Sequence, residues 1–296
     1  MQRNNNISIS IIIPTYNRAA TIGKTIDSFI AQDYKDWEMI VVDDHSTDNT
    51  KEVIDNYHRK DGRIRYLLNE RKKGAQGARN TGLKYANYDW VIFFDSDNVA
   101  HSNMLSELVW AVRDDIDVVS CFSNVIDIKT HKQIRTFEWV NEGDIHKRLF
   151  SWDSYVDFNQ AIIRKKKLYE IGMLDEDCPS MQEWETHIRL SMVATYTTIH
   201  KHLLDYYVGA KDSISSNKQR EVIGRMYVLN KHKREWASNK EALIWILNNI
   251  YTFIRKNDGC WFRLKYMFRL MCISPRIFPI VVEYRKDYIK RKLNIN

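Results

Sequence analysis

The sequence predicts an α/β fold, a mostly parallel sheet flanked by helices, with a helical extension at the C-terminus. Three observations carry this. Over the first hundred residues, short apolar runs alternate with helix-spaced segments. Polar residues cluster where three of those runs end. From residue 217 onward the patterning is helical only.

Taken in order, residues 7–13 are Ile-rich and stop at Pro14, which reads as a strand buried on both faces. Ile22, Ile26, Phe29 and Ile30 give residues 19–31 helical spacing. Residues 37–42 form a second buried strand, ending in Asp43 and Asp44. Ser46 or Thr47 is expected to cap the next helix, with Asp48 in its first turn, where the helix dipole favours a negative charge. Residues 64–68 form a third strand, residues 74–86 a Gly/Ala-rich turn running into a helix, and residues 90–94 a fourth strand. The middle third is less regular. Strands are expected at 118–125, 134–140, 158–163 and 197–208, and helices at 165–171 and 182–193. The expected organisation is one half of an α/β domain over residues 1–100, its other half over 101–215, and a basic helical region over 216–296.

Composition narrows the class. The 296 residues are 44% apolar and 28% charged, with ten glycines and four prolines, which is globular material without a low-complexity linker. Cys121, Cys178, Cys260 and Cys272 show no CxxC spacing and are expected to be buried, reduced thiols of a cytoplasmic protein. The start, MQRNNNISIS, lacks the apolar core of a signal peptide. The apolar stretch 242–254 is too short to span a bilayer, and 267–282 is broken by arginines and prolines. The net charge of +7 is unevenly placed: residues 255–296 hold eleven Lys/Arg against three Asp/Glu. No nucleic-acid-binding module is recognisable.

In parallel α/β sheets ligands gather at the carboxyl ends of the strands. Three clusters sit there, and each has two readings. In "VIFFDSDN", Asp95 and Asp97 can converge on one hard cation, Mn²⁺ or Mg²⁺, or form an acidic turn capping a helix near His101 and Ser102. Asp44 can accept a hydrogen bond from a base N–H, or cap the following helix. In "GAQGARN", Arg79 can bond a diphosphate, or lie solvated on a small-residue helix packed on the sheet. This stretch is neither a dinucleotide fingerprint nor a P-loop. Glu183, beside Trp184, can be a general base or serve the helix N-terminus electrostatically.

Taken together, "SIIIPTYNR", "SFIAQDYKDWEMIVVDDHSTDNT", "GAQGARNTGLKYA", "WVIFFDSDN" and "MQEWETHIRLS" resemble the family 2 glycosyltransferases, inverting enzymes of GT-A fold with a Rossmann-like sheet. The resemblance covers about residues 7–215. It implies a nucleotide-diphosphosugar donor, usually a UDP-sugar, and transfer of a hexosyl or N-acetylhexosaminyl group. Matched position by position, it implies that Pro14 and Tyr16 line the base and ribose pocket and that Asp44 bonds the base. Arg79 is implied to contact the base or phosphates, and Asp95, with Ser96 beside it, to sit near the ribose and metal. Asp97 is the implied main ligand of Mn²⁺ or Mg²⁺, and Glu183 the implied catalytic base. The family's base is more often Asp in a Glu-Asp pair, whereas this chain has Gln182-Glu183. Many relatives carry a His before a Ser-x-Ser in a late loop. In "YYVGAKDSISS", Ala210 stands there, with Lys211 adjacent.

The resemblance further implies an O-antigen, capsule or similar glycan as product and a polyprenyl-diphosphate-linked acceptor. The basic, aromatic-rich tail, with Phe262, Tyr266, Phe268, Phe278 and Tyr284, suits peripheral contact with the cytoplasmic face of an anionic inner membrane, or a helical cap with its basic face in water. Two rival classes are a sugar-nucleotide-forming nucleotidyltransferase and a catalytically inactive glycan-binding subunit. The first usually places a Gly-rich, Arg/Lys-bearing loop after the first strand, which PTYNRAATIG lacks. Asp44, Asp95, Asp97 and Glu183 argue against the second.

Overall fold

The computed structural model describes residues 7–209, 218–257 and 259–273. The chain opens with β1 (Ile9–Thr15), α1 (Ile22–Ile30), β2 (Trp37–Asp43), α2 (Thr50–Lys60), β3 (Ile64–Leu68), α3 (Ala75–Tyr85) and β4 (Trp90–Phe93). These strands pair in parallel in the order β3-β2-β1-β4. The continuous apolar runs follow from burial on both faces. Ile9, Ile11 and Ile13 point to the face covered by Ile22, Ile26 and Phe29 of α1 and Ile54 of α2. On the other face α3 packs so closely that a Cβ at Gly82 would stand 2.4 Å from Ile12 Cγ2.

The second half adds β5 (Val99–Ala100), α4 (Met104–Trp110), β6 (Val118–Asp127), β7 (Gln133–Phe137), α5 (His146–Ser151), β8 (Ala161–Arg164), α6 (Lys165–Glu170), α7 (Gln182–Leu190) and β9 (Tyr196–Val208). The sheet runs on from β4 through β8, β6, β9 and β5, with β7 pairing β6 over Ser123–Ile126, past the stretch Val118–Ser120 that pairs β8. β6 and β9 are parallel, and the β4–β8, β6–β8, β6–β7 and β5–β9 pairings are antiparallel.

By internal contacts the chain divides into two compact units. One takes in the whole sheet with residues up to 149, 153–177 and 182 through β9. The other joins residues 150–152 and 178–181 to the C-terminal helices α8 (Lys218–Lys231), α9 (Lys233–Ser238), α10 (Lys240–Arg255) and α11 (Cys260–Ile273). Within that unit α10 buries Ile246, Ile250 and Ile254, Trp152 stacks on Trp245, and the Phe150 ring meets Trp236 edge-on. Among the described residues no helix is long and apolar enough to cross a membrane.

Several local expectations are corrected. α2 begins at Thr50, and neither Ser46 nor Thr47 caps it. Asp48 precedes the helix and accepts from the Thr50 N–H at 3.1 Å, while Ser46 bonds Asp43. Residues 158–160 are a 3₁₀ turn, not strand, because Asp157 accepts from the Asn159 N–H and caps it. α7 ends at Leu190, and the two-residue strand β5 was too short to carry a pattern. All four cysteines are free, but Cys260 and Cys272 are exposed, since they lie on the open face of α11. Phe278, Tyr284 and the rest of the tail beyond residue 273 lie outside the described residues.

Candidate active site

The parallel registers bring three strand ends level. Thr15 pairs with Asp43, and the Asp44 N–H donates to the Thr15 carbonyl at 2.8 Å. Ile12 pairs with Phe93, and the Phe94 N–H donates to the Ile12 carbonyl at 2.9 Å. Pro14, Tyr16, Asp44 and Asp95 therefore share one edge of the sheet. Tyr16 is 44% exposed, with the Lys73 ammonium 4.9 Å from its ring centre. Asn17 takes a left-handed backbone (φ 52°) and ties its loop to the next one, since its Oδ1 accepts from the Thr47 N–H at 2.8 Å.

Asp44 does not cap α2. Its Oδ1 accepts from Asn69 Nδ2 at 2.7 Å and its Oδ2 from the Gly74 N–H at 2.8 Å, which fastens the loop ahead of α3. Gly74 has φ 129°, a conformation that side chains rarely adopt. At Gly77 a Cβ would stand 1.9 Å from the Lys72 carbonyl oxygen, so this loop crosses α3 at glycine-only distance.

α3 then presents Arg79, which is 4% exposed and not solvated. Its guanidinium donates to Asp95 Oδ1 at 2.8 Å and to Gln76 Oε1 at 2.9 Å, lies 5.0 Å from the Phe158 ring centre, and stands 4.0 Å from Glu183 Oε1. One cation thus joins the end of β4 to the start of α7. Ser96 is buried and Asp97 half-buried in the turn between β4 and β5. That turn does not cap α4, whose N-cap is Asn103.

The two carboxylates at the start of α7 separate cleanly. Glu185 is fully buried and paired with Arg189, both bonds at 2.7 Å. The Glu183 side chain is 22% exposed and faces Arg79. Burial pushes the Glu183 carboxyl above its ordinary value, the Arg79 charge draws it back, and Asp95 adds to the rise. His187, one turn on, is held neutral by burial, its imidazolium favoured only below about 3, and its Nδ1 lies 3.0 Å from the Tyr196 hydroxyl. A neutral imidazole so strongly disfavoured as a cation is a weak proton acceptor.

Sequence reasoning missed Asp157, Asn159 and Tyr206. Asp157 is raised to about 7 by burial, then by the charges of Glu183 and Asp95. Tyr206, on β9, is pushed well up by burial and by Asp157, Asp95, Glu183 and Asp97 together. Four acidic side chains therefore lie within electrostatic reach of one hydroxyl, and Arg79 bonds one of them, Asp95. The signal in the sequence was "DFNQ", a capping Asp before a polar residue, read instead as the start of a strand. Among the described residues no group of three or more His, Cys, Asp or Glu is placed to hold a metal. Asp95 and Asp97 are oxygen donors of the type a hard cation takes, with its remaining positions open to phosphate oxygens and water. Ala210 and Lys211 lie outside the described residues.

The mixed sheet, with polar residues gathered at its carboxyl edge and helices on its faces, has the GT-A fold. A sequence profile of "Glycosyl transferase family 2" matches residues 10–172, more than half the chain, and the protein belongs to that family. Among curated relatives, it is 33% identical over 171 residues to the GalNAc(5)-diNAcBac-PP-undecaprenol beta-1,3-glucosyltransferase of Campylobacter jejuni, covering 55% of each chain. It is 27% identical over 314 aligned residues to the amylovoran biosynthesis glycosyltransferase AmsB of Erwinia amylovora, covering 98% of this chain and 96% of that one. The first of these matches spans about half the relative's length. The fold is shared with S. aureus TarS 1–349 in complex with UDP-GlcNAc, at TM-score 0.61 and 17% identity over 93% of this chain and 76% of that one. It is shared equally with the mannosyltransferase PcManGT of Pyrobaculum calidifontis in complex with GDP-Man and Mn²⁺, at TM-score 0.62 and 17% identity over 99% and 89%.

Proposed function

We propose that the protein is an inverting glycosyltransferase that moves a sugar from a nucleotide-diphosphosugar, a UDP-sugar, to a hydroxyl of a polyprenyl-diphosphate-linked glycan in bacterial surface-polysaccharide synthesis. The observation that carries this is Arg79, bonded to Asp95 at 2.8 Å and 4.0 Å from Glu183. It couples the turn suited to the leaving group with the carboxylate suited to the attacking hydroxyl.

Glu183 takes the proton of the acceptor hydroxyl. Its raised carboxyl pKa brings it nearer the working pH, as a general base requires. The acceptor oxygen forms a bond to the anomeric carbon while the bond from that carbon to the diphosphate breaks on the opposite face. One displacement inverts the configuration and needs no glycosyl-enzyme intermediate. Asp157 is a poor candidate for the covalent nucleophile of a two-step route, because its Oδ1 is held by both the backbone and the side chain of Asn159. Pro14 and Tyr16 line the base and ribose pocket. Asp44 sets the loop that closes it and reads the base with its remaining lone pairs. Asp95, with Ser96 beside it, faces the ribose. Asp97, with Asp95, would hold Mn²⁺ or Mg²⁺, which would supply positive charge for a diphosphate. Arg79 adds a fixed charge on the same side.

A lipid-linked acceptor calls for a membrane contact, and α11 supports one. Trp261, Leu264, Phe268 and Met271 recur at helical spacing on one face of α11, and Trp261 is 86% and Phe268 65% exposed. Arg263, Lys265 and Arg269 share the helix, which contains no acidic residue. An apolar stripe on a cationic helix suits an anionic bilayer surface, whereas a second copy would bring like charges together. Sedimentation with phosphatidylglycerol vesicles should retain the parent and release Trp261→Ser/Phe268→Ser. Equal binding of both, or none to anionic vesicles, counts against this contact.

The activity is tested by UDP-sugar hydrolysis across a donor panel, with and without Mn²⁺. Slow hydrolysis of one donor, dependent on the metal, is expected. If neither hydrolysis nor UDP–Mn²⁺ binding is seen, the donor-site reading fails.

A further inference from the structure

Asn159 lies in the 3₁₀ turn before β8 and is 1% exposed. Its carboxamide makes four hydrogen bonds. Oδ1 accepts from the Asp95 backbone N–H at 2.7 Å and from Asn98 Nδ2 at 3.1 Å. Nδ2 donates to Asp95 Oδ2 at 2.9 Å and to Asp157 Oδ1 at 2.7 Å. This uses the full capacity of one amide and fixes its sense. Turned over, the carbonyl oxygen would face two carboxylates and the NH₂ two donors. Asp157 Oδ1 also accepts from the Asn159 backbone N–H at 2.8 Å, so the same carboxylate caps the turn and aims the amide.

The other end of the acidic turn is closed by Asn98. Its Oδ1 accepts from the Tyr207 N–H at 2.9 Å, and its carbonyl from the Thr25 hydroxyl at 2.8 Å. The turn 95–98 is thus held from α1, from β9 and from the turn before β8. Both Asp95 carboxylate oxygens are oriented, Oδ1 by Arg79 and Oδ2 by Asn159. A solvated acidic turn needs none of these bonds.

We infer that Asn159, aimed by Asp157, is a positioning residue that presets the acidic turn 95–98 for the diphosphate and cation of the donor, acting through Asp95 without touching either. This rests on the reading of that turn as the donor site. The physical advantage is preorganisation: the carboxylates are ordered during folding, so less conformational freedom is lost on binding. Partners that orient ligating carboxylates typically contribute about 10–100-fold to metal affinity.

The test is calorimetric titration of Mn²⁺ and UDP into the full-length parent, Asn159→Ala, Asp157→Ala, Asp157→Asn and, as a control, Asp97→Ala. Asn159→Ala and Asp157→Ala are expected to weaken Mn²⁺-dependent UDP binding by about 10–100-fold. Asp157→Asn keeps an oxygen acceptor for the Asn159 amide and is expected to bind like the parent. In turnover assays the donor KM should rise more than kcat falls. Parental binding by both alanine variants overturns the inference. A loss with Asp157→Asn as large as with Asp157→Ala overturns the aiming role, because charge rather than the hydrogen bond would then be at work. If Asn159→Ala does not fold, the two Asp157 variants decide. Absence of Mn²⁺–UDP binding by the parent overturns the donor-site reading and this inference with it, and is distinct from selective loss in the variants.

Discussion

Glu183 and Glu185 stand two residues apart at the start of one helix and are used differently. Glu185 is buried against Arg189, whose guanidinium also donates to the Ile171 and Met173 carbonyls at 2.7 Å each. Glu185→Ala should cost about 3–5 kcal/mol, the usual effect of removing one partner from a buried pair, as read from urea unfolding. Arg79→Ala removes the charge that draws the Glu183 carboxyl down, so the acid limb of the pH–rate profile should move to higher pH. Asp157 ionises at about 7 folded against 3.8 unfolded, so the folded chain holds the extra proton between those values. Its contribution to stability is full below about 3.8 and is lost as pH rises through about 7. Asp157→Asn should therefore flatten the fall in stability between pH values of about 3.8 and about 7, measured by denaturant unfolding. The residues of the site were legible where the chain places a charge at a strand or helix end, as at Asp95 and Glu183. Asn159 was not, because an amide in a one-turn helix leaves no periodic trace.

At the scale of elements, α3 is the piece on which the site depends, and its glycines show why. Gly82 lets α3 lie against Ile12 and Val42, with 2.4 and 3.2 Å available to an added Cβ. Gly82→Val should cost about 1–3 kcal/mol by overpacking and displace Arg79, visible as a lower unfolding midpoint with weaker donor binding. The β1–α1–β2–α2–β3–α3–β4 series could be read from sequence because strands buried on both faces are continuous apolar runs. The second half was harder to read. β6 and β9 read as strands, but β5 has only two residues, β7 is mostly exposed, and the turn at 158–160 is set by one Asp157 cap rather than by periodicity.

At the scale of the molecule, the sheet unit holds every residue assigned to the donor and base, and the C-terminal unit carries the exposed apolar stripe of α11. The uneven charge, with the excess placed after residue 254, was visible in the sequence. The assignment of residues 150–152 and 178–181 to the C-terminal unit was not, since they are far from it in the chain. The central claim is that Glu183 is the base of a transfer whose donor is held elsewhere in the site. It is tested most directly by Glu183→Gln, an isosteric change, assayed in parallel for UDP–Mn²⁺ binding by calorimetry and for donor turnover. Parental binding with turnover lost is the predicted result. Turnover equal to the parent's would contradict it.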